Sequence, residues 1–216
     1  MEITKLEHAC LVVSIGSEQL VIDPGSYTRE LDKLGTVAAV VITHVHDDHC
    51  SEEQLRRLAA ANSSLRVFGT GEVCQRLAKS MPELVTHEVH HGDFYRVSNF
   101  ELEFVGEQHL EIHHSIPLVQ NCGVMVNRVL YYPGDSYTLP DQKIEVLACP
   151  SSAPWLKLGD VLDFVTEAKA STVFPTHNAL HSELGNRLYN SRIAAFVTKN
   201  GGEFIELEPG ESLKLA

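Results

Sequence analysis

The stretch T-H-V-H-D-D-H, Thr43 to His49, decides how this 216-residue chain is read. Side chains of an extended segment alternate between two sides, so His44 and His46 point the same way and can hold one ion together. Asp48 and His49 fall where the chain turns toward a helix and can face a neighbouring ion. So many ionisable groups packed together are costly unless they are solvated or metal-bound. The plain alternative is a polar loop of surface histidines. Immediately upstream, V-A-A-V-V-I-T (Val37 to Thr43) is a continuous apolar run, as expected for a strand covered on both faces. The motif therefore sits in a loop at the end of a buried strand.

Three further candidates also follow apolar strand-like runs. His109 lies in VGEQHLEIHH after ELEFV, Asp135 in YYPGDS after VLYY, and His177 in FPTHN after TVF. Each alone has an ordinary reading as a capping aspartate, a partly exposed loop histidine or a hydrogen-bonded core histidine. Their shared position at strand ends points to one site assembled from separate loops. His113 and His114 offer a second local choice beside His109. The chain holds 12 histidines, most of them between His44 and His114 or in the pair His177 and His181. Histidine is the commonest metal ligand and the usual proton carrier near neutral pH, which is why the clustering matters. His181 reads as a helix-start residue, and His8, His87, His90 and His91 as surface or turn residues.

Around these motifs the periodicity alternates between strand and helix. CLVVSI and QLVID, split by a turn containing Gly16 and Ser17, form a hairpin. Ser51 with Gln54 offers a capping box for a helix whose one face is Leu55, Leu58 and Ala59. A second helix is predicted over Gly71 to Lys79, then strands at FYRV and ELEFV. GVMVNRVLYYPGDS gives two strands around Asn127-Arg128, and VLACP and TVFP give two more. Val161, Phe164, Val165 and Ala168 have helical spacing. Leu184, Leu188, Ile193, Phe196 and Val197 suggest a final helix ending near Gly201 and Gly202. The tail EFIELEPGESLKL reads as a closing hairpin. No Pro-rich linker, low-complexity tract or charge block divides the chain, so residues 1–216 are expected to form a single α/β domain of two similar halves, with helices outside packed sheets.

The formal charge of -12, from 17 Lys and Arg against 29 Asp and Glu, argues against a phosphate-gripping surface and hence against nucleic acid as the main partner. It says little about small substrates, because bound cations reverse the local field of an acidic protein. No apolar run is long enough to span a bilayer, and MEITKLEHAC has charges where a signal peptide needs its apolar region. Cys10, Cys50, Cys74, Cys122 and Cys149 are scattered and form no C-x-x-C pair, so a reducing, cytoplasmic setting is expected. A homo-oligomer such as a dimer is compatible with the chain, although no residue argues for it.

The order H-x-H-x-D-H, then His109, then Gly134-Asp135-Ser136, then Pro175-Thr176-His177, resembles the metallo-β-lactamase superfamily over essentially the whole chain. Within it, the Gln108-His109 segment is similar to the lactonase-like and phospholipase D-like hydrolases. The resemblance implies a four-layer αββα sandwich. It implies that His44, His46 and His109 hold one divalent metal ion, that Asp48, His49 and His177 hold a second, and that Asp135 bridges them. Zn²⁺ suits such ligands first, with Mn²⁺ or Fe²⁺ as alternatives. VIDPG is typical of the superfamily, its Asp23 supporting a histidine ligand without touching metal. Hydrolysis of a small ester, lactone or phosphodiester by a metal-bridging hydroxide follows, with Asp48 orienting the hydroxide and shuttling its proton as the catalytic residue. The alternatives are an iron-dependent persulfide dioxygenase-like reaction or a non-catalytic metal-binding protein. His113, His114, Trp155 and Tyr27 are candidate substrate contacts. Two departures stand out: Asp47 adds negative charge beside the site, and Cys50 falls where a Gly-containing turn is common and reads as a small packed side chain.

Overall fold

Apolar runs of the first half become the strands of one sheet and those of the second half most of another. The computed structural model describes residues 1–215. The first half contains β1 (Glu2–Lys5), β2 (Leu11–Ile15), β3 (Glu18–Ile22), β4 (Thr36–Ile42), α1 (Glu52–Ala61), β5 (Arg66–Gly69), α2 (Gly71–Ser80) and β6 (Val85–Glu88). The second contains β7 (Phe94–Val97), β8 (Phe100–Val105), β9 (Gly123–Val126), β10 (Leu130–Tyr132), β11 (Val146–Pro150), α3 (Leu158–Ala168), β12 (Thr172–Thr176), α4 (Glu183–Lys199), β13 (Glu203–Phe204) and β14 (Ser212–Lys214). The strand orders are β14-β1-β2-β3-β4-β5-β6 and β13-β12-β11-β10-β9-β8-β7.

Burial sorts these elements into four layers. Leu20, Val41, Phe68, Phe100, Leu102, Phe104, Val124 and Phe174 meet between the sheets. Leu55, Leu58, Val73 and Leu77 of α1 and α2 cover the outer face of the first sheet against Val40, Ile42 and Val67. Val161, Phe164, Val165, Ile193 and Val197 of α3 and α4 cover the second against Met125, Tyr131, Leu147 and Val173. The result is the expected αββα sandwich. In β4, Val41 serves the central core and Ile42 the helix-facing core, which explains its unbroken apolar run. The hairpin turns are as read: Gly16 has φ +60°, and Asn127 and Arg128 have φ 50° and 57°, the paired positive values of a type I′ turn.

The polarity of the sheets matters most for the site. β3, β4, β5 and β6 are mutually parallel, as are β10, β11, β12 and β13. Through two antiparallel steps each, β1 runs with β3 and β8 runs with β10. The loops after β1, β3, β4, β8, β10 and β12 therefore leave from carboxyl ends of strands, where open α/β sheets bind ligands. Those loops carry His8, Asp23, His44 to His49, His109, Asp135 and His177.

Three expectations need correction. The tail is not a hairpin: β13 adds parallel to β12 and β14 adds antiparallel to β1 in the other sheet, with Leu207 buried between the sheets on the way across. The turn at Glu208 to Glu211 forms, but each flanking strand finds an open sheet edge instead of its neighbour. Of the apolar residues assigned to α4, Ile193 and Val197 are buried while Leu184 and Leu188 lie exposed. The capping box is half-formed: Ser51 Oγ accepts from the Gln54 amide, but the Gln54 side chain donates to the carbonyls of Thr28 and Arg29 and accepts from the Leu31 amide. Gln54 thereby ties the loop after β3 to α1.

Candidate metal centre

Asp23, fully buried at the end of β3, organises the site from beneath. Its carboxylate accepts from the Thr43 amide at 2.7 Å, the Thr43 hydroxyl at 2.6 Å and His49 Nδ1–H at 2.6 Å. The next turn of that loop passes so close to the motif that a Cβ on Gly25 would fall 1.7 Å from the Asp48 carbonyl oxygen. Only glycine permits this approach. Asp23, His8 and His177 all adopt positive φ (47°, 58° and 58°), conformations that cost energy and cluster at functional sites.

Each buried histidine of the site has one ring nitrogen committed. His49 Nδ1–H donates to Asp23, His109 Nδ1–H to the Leu110 carbonyl and His177 Nδ1–H to the Ser152 carbonyl. Thr43 spends its hydroxyl proton on Asp23, so its oxygen accepts from His44 Nδ1–H at 3.1 Å. With the hydrogen on Nδ1 in all four, the Nε2 lone pairs are left bare. His44, His49, His109 and His177 Nε2 are buried without any hydrogen-bond partner, and so is Asp135 Oδ1. Such orphans demand an explanation, and a cation is the simplest group to satisfy converging lone pairs.

The donors fall into sets. Ligand atoms of His44, His46 and His109 lie within 4.8 Å of one another, as do those of His8, Asp48, His49 and His177, and those of His44, His49 and Asp135. Asp135 stands between the groups, with Oδ1 3.3 Å from His49 Nε2 and Oδ2 3.3 Å from His109 Nε2 and 3.4 Å from His177 Nε2. This N/O donor set fits borderline divalent cations such as Zn²⁺, and also Mn²⁺ or Fe²⁺. Charge is arranged accordingly. Burial would raise the Asp135 carboxyl, but His177 and His49 outweigh it and hold it well below the usual carboxylate range. Asp48 is likewise held far down, against burial, by the neighbouring His177, His8 and His49. Burial lowers His44 and His46, helped by the neighbouring histidines. For His49, Asp135 and Asp23 overcome burial and raise it.

His8, read from sequence as a surface or turn residue, is in fact 1% exposed and part of this cluster. Its Nδ1 accepts from the Ala179 amide at 3.4 Å, which leaves the hydrogen on Nε2, 3.0 Å from Asp48 Oδ2. Its ring centroid lies 3.9 Å from that of His177 and 5.0 Å from that of Tyr27. The strand before it, β1, is the mixed stretch EITK and not an apolar run, so the signal that picked out the other histidines is missing here. Trp155, a candidate substrate contact, donates Nε1–H to Asp135 Oδ2 at 2.7 Å. Ser152, two residues after β11, is a further contributor that no sequence pattern singles out.

The remaining candidates spread outward. Tyr27 is half-exposed over His8. His113 and His114 are exposed and stand apart from the donor sets; His113 Nδ1 is engaged with Ser115, so neither replaces His109. Asp47 turns to solvent and pairs with Arg76 at 2.8 Å. Cys50 is buried among the residues under α1, and burial pushes its thiol up to about 12. His181 precedes the α4 cap Ser182, as expected. His90 and His91 are exposed; His87 is half-buried, stacked on Phe68 at 4.7 Å.

With this fold and geometry, comparison with known proteins gives the class. The model of the beta-lactamase superfamily domain matches residues 2–177, and the chain belongs to that superfamily. It is 27% identical over 203 residues to Protein Rv0786c of Mycobacterium tuberculosis, covering 92% of this chain and 93% of that one. It is 22% identical over 169 residues to a UPF0173 metal-dependent hydrolase of Flavobacterium johnsoniae, covering 74% and 73% of the two chains. Among solved structures it is similar to Igni18, described as a metallo hydrolase from Ignicoccus hospitalis, with a TM-score of 0.75 at 16% identity over 100% of this chain and 99% of that one.

Proposed function

We propose that this protein is a metal-dependent hydrolase whose centre holds two divalent ions, His44, His46 and His109 binding one, Asp48, His49 and His177 the other, and Asp135 both. The observation that carries the reading is the set of four buried, partnerless Nε2 atoms facing two carboxylates. The description of the Flavobacterium relative as a metal-dependent hydrolase agrees with it. Bound ions would polarise a carbonyl or phosphoryl oxygen and acidify a water molecule.

The chain's own residues supply orientation and proton handling. Asp23, Thr43, Leu110 and Ser152 fix the histidine tautomers, so that Nε2 faces the centre without rearrangement. Asp48 is the least buried carboxylate of the cluster. Its Oδ2 is fixed by His8, and Oδ1 is left to hold a proton and pass it to a leaving group. Trp155 Nε1–H orients Asp135. The substrate class is a small ester, lactone or phosphodiester, consistent with an acidic surface that repels polyphosphates.

The test is a panel of lactones, carboxylic esters and phosphodiesters offered to metal-loaded wild type and Asp48→Asn. Turnover of at least one class, lost by about 10²–10⁴-fold in the variant once both proteins are reloaded to the same metal content, is expected for a proton-transfer residue. Equal rates in the two proteins would remove Asp48 from that role. Oxygen consumption by an iron-loaded protein, with every hydrolase substrate inert, would replace hydrolysis with oxidation.

A further inference from the structure

The Nδ1 edge of His8, turned away from Asp48, faces a second feature. A pocket of about 150 Å³ opens there, lined by Lys5, His8, Asn178, His181, Asn186 and Glu208 among others. Lys5 sits at the end of β1 and is 1% exposed. Its ammonium has neither a hydrogen-bond partner nor an ion-pair partner among the described residues. Across the pocket, His181 Nδ1 and Asn186 Oδ1 are buried without partners. None of these three residues belongs to the metal-binding sets.

Taking an ammonium out of water without a counter-charge is costly, and unmet amide and imidazole groups add to the cost. The nearby acids do not remove it. Glu7, also on the wall, is committed to the amide and guanidinium of Arg29. Glu208 lies at the exposed rim, beyond ion-pair distance of Lys5. Burial lowers the Lys5 pKa, and the more distant Glu208, Glu7 and Glu211 offset this only in part. A small anion would meet the Lys5 ammonium, the amide N–H of Asn186 once that side chain turns, and the His181 ring together.

We propose that this pocket is a binding site for a small oxyanion, a carboxylate or phosphoryl group, held by Lys5, His181 and Asn186 behind the His8–Asp48 pair. Its volume suits one such group with little else. The group is either a free ion or a remote acid on the substrate. The proposal rests on the pocket's own residues and stands whether or not the centre is hydrolytic.

Calorimetric titration of inorganic phosphate into metal-loaded protein tests it, with Lys5→Met, Asn186→Ala and His46→Ala alongside. A saturable component that weakens at least about tenfold in Lys5→Met and in Asn186→Ala, the loss of roughly one charge-assisted hydrogen bond, is expected. The same component survives in His46→Ala, which separates it from phosphate held at the metals. Should Lys5→Met fail to fold, Asn186→Ala carries the same comparison. Phosphate binding that is unchanged in the pocket variants, or wholly lost in His46→Ala, overturns the proposal. Where turnover is measurable, competition by phosphate against an anionic substrate, with KM raised in Lys5→Met only for that substrate, identifies the anion as part of the substrate. A change in turnover of a neutral substrate without competition identifies a free ion.

Discussion

His8 Nε2 lies 3.0 Å from Asp48 Oδ2, a contact that joins the loop after β1 to the motif after β4 across 40 residues. The opposite ring nitrogen accepts from Ala179 N–H, so His8 donates to Asp48 and has no lone pair left for an ion. His8→Phe keeps the ring packing against His177 and Tyr27 but leaves Asp48 free to turn. Activity is expected to fall by about 10–100-fold, as for other residues that orient ligands, with metal content close to wild type. Steady-state kinetics beside elemental analysis checks this; loss of half the metal would make His8 a ligand instead.

Trp155 plays the corresponding part for Asp135, through a 2.7 Å hydrogen bond. Trp155→Phe retains the aromatic contact with Tyr137 and removes the donor. Metal affinity is expected to weaken by about 10–100-fold. A competition titration with a chromophoric chelator measures it, and an unchanged affinity would reduce Trp155 to packing.

Asp23 is the deepest of these supports. Asp23→Ala strands the Thr43 amide and hydroxyl and His49 Nδ1–H in a dry environment, at about 1–3 kcal/mol for each donor left unpaired. Chemical denaturation of metal-free protein is expected to show a loss of that order. Gly25→Ala acts at the same place through sterics, since its Cβ meets the Asp48 carbonyl, and is expected to lower both the melting temperature and metal retention.

How far the sequence could be read follows from what each residue depends on. The strand β4, the helix α1 and the histidines of the motif were legible because period and local spacing determine them. His109, Asp135 and His177 were legible because each follows an apolar strand. His8 follows the mixed strand EITK and has no second ligand beside it, so only the parallel course of β1 and β3 identifies it. Trp155 and Ser152 reach the site through tertiary packing that no local pattern encodes. The tail misled for a related reason: Glu208 to Glu211 makes a turn in either arrangement, and only the open edges at β12 and β1 decide where its strands pair.

Protons and metal compete for the same nitrogens. His49 and His177 have raised pKa values in the metal-free fold, so each stabilises that fold below its ordinary value of about 6.5 and loses this contribution as pH rises through the folded value. Metal binding must displace those protons. The rise in melting temperature produced by metal loading is therefore expected to grow from about pH 5 to about pH 8. Paired thermal melts with and without chelator across that range check it; a constant increment would show that binding releases no protons.

The most direct test of the central claim is the metal content of freshly purified protein, by elemental analysis, for wild type and Asp135→Ala. The account predicts about two equivalents of a divalent transition metal in wild type and a marked loss in the variant, because Asp135 faces both donor sets. Wild-type protein that purifies without metal and cannot be reconstituted with zinc, manganese or iron would contradict it.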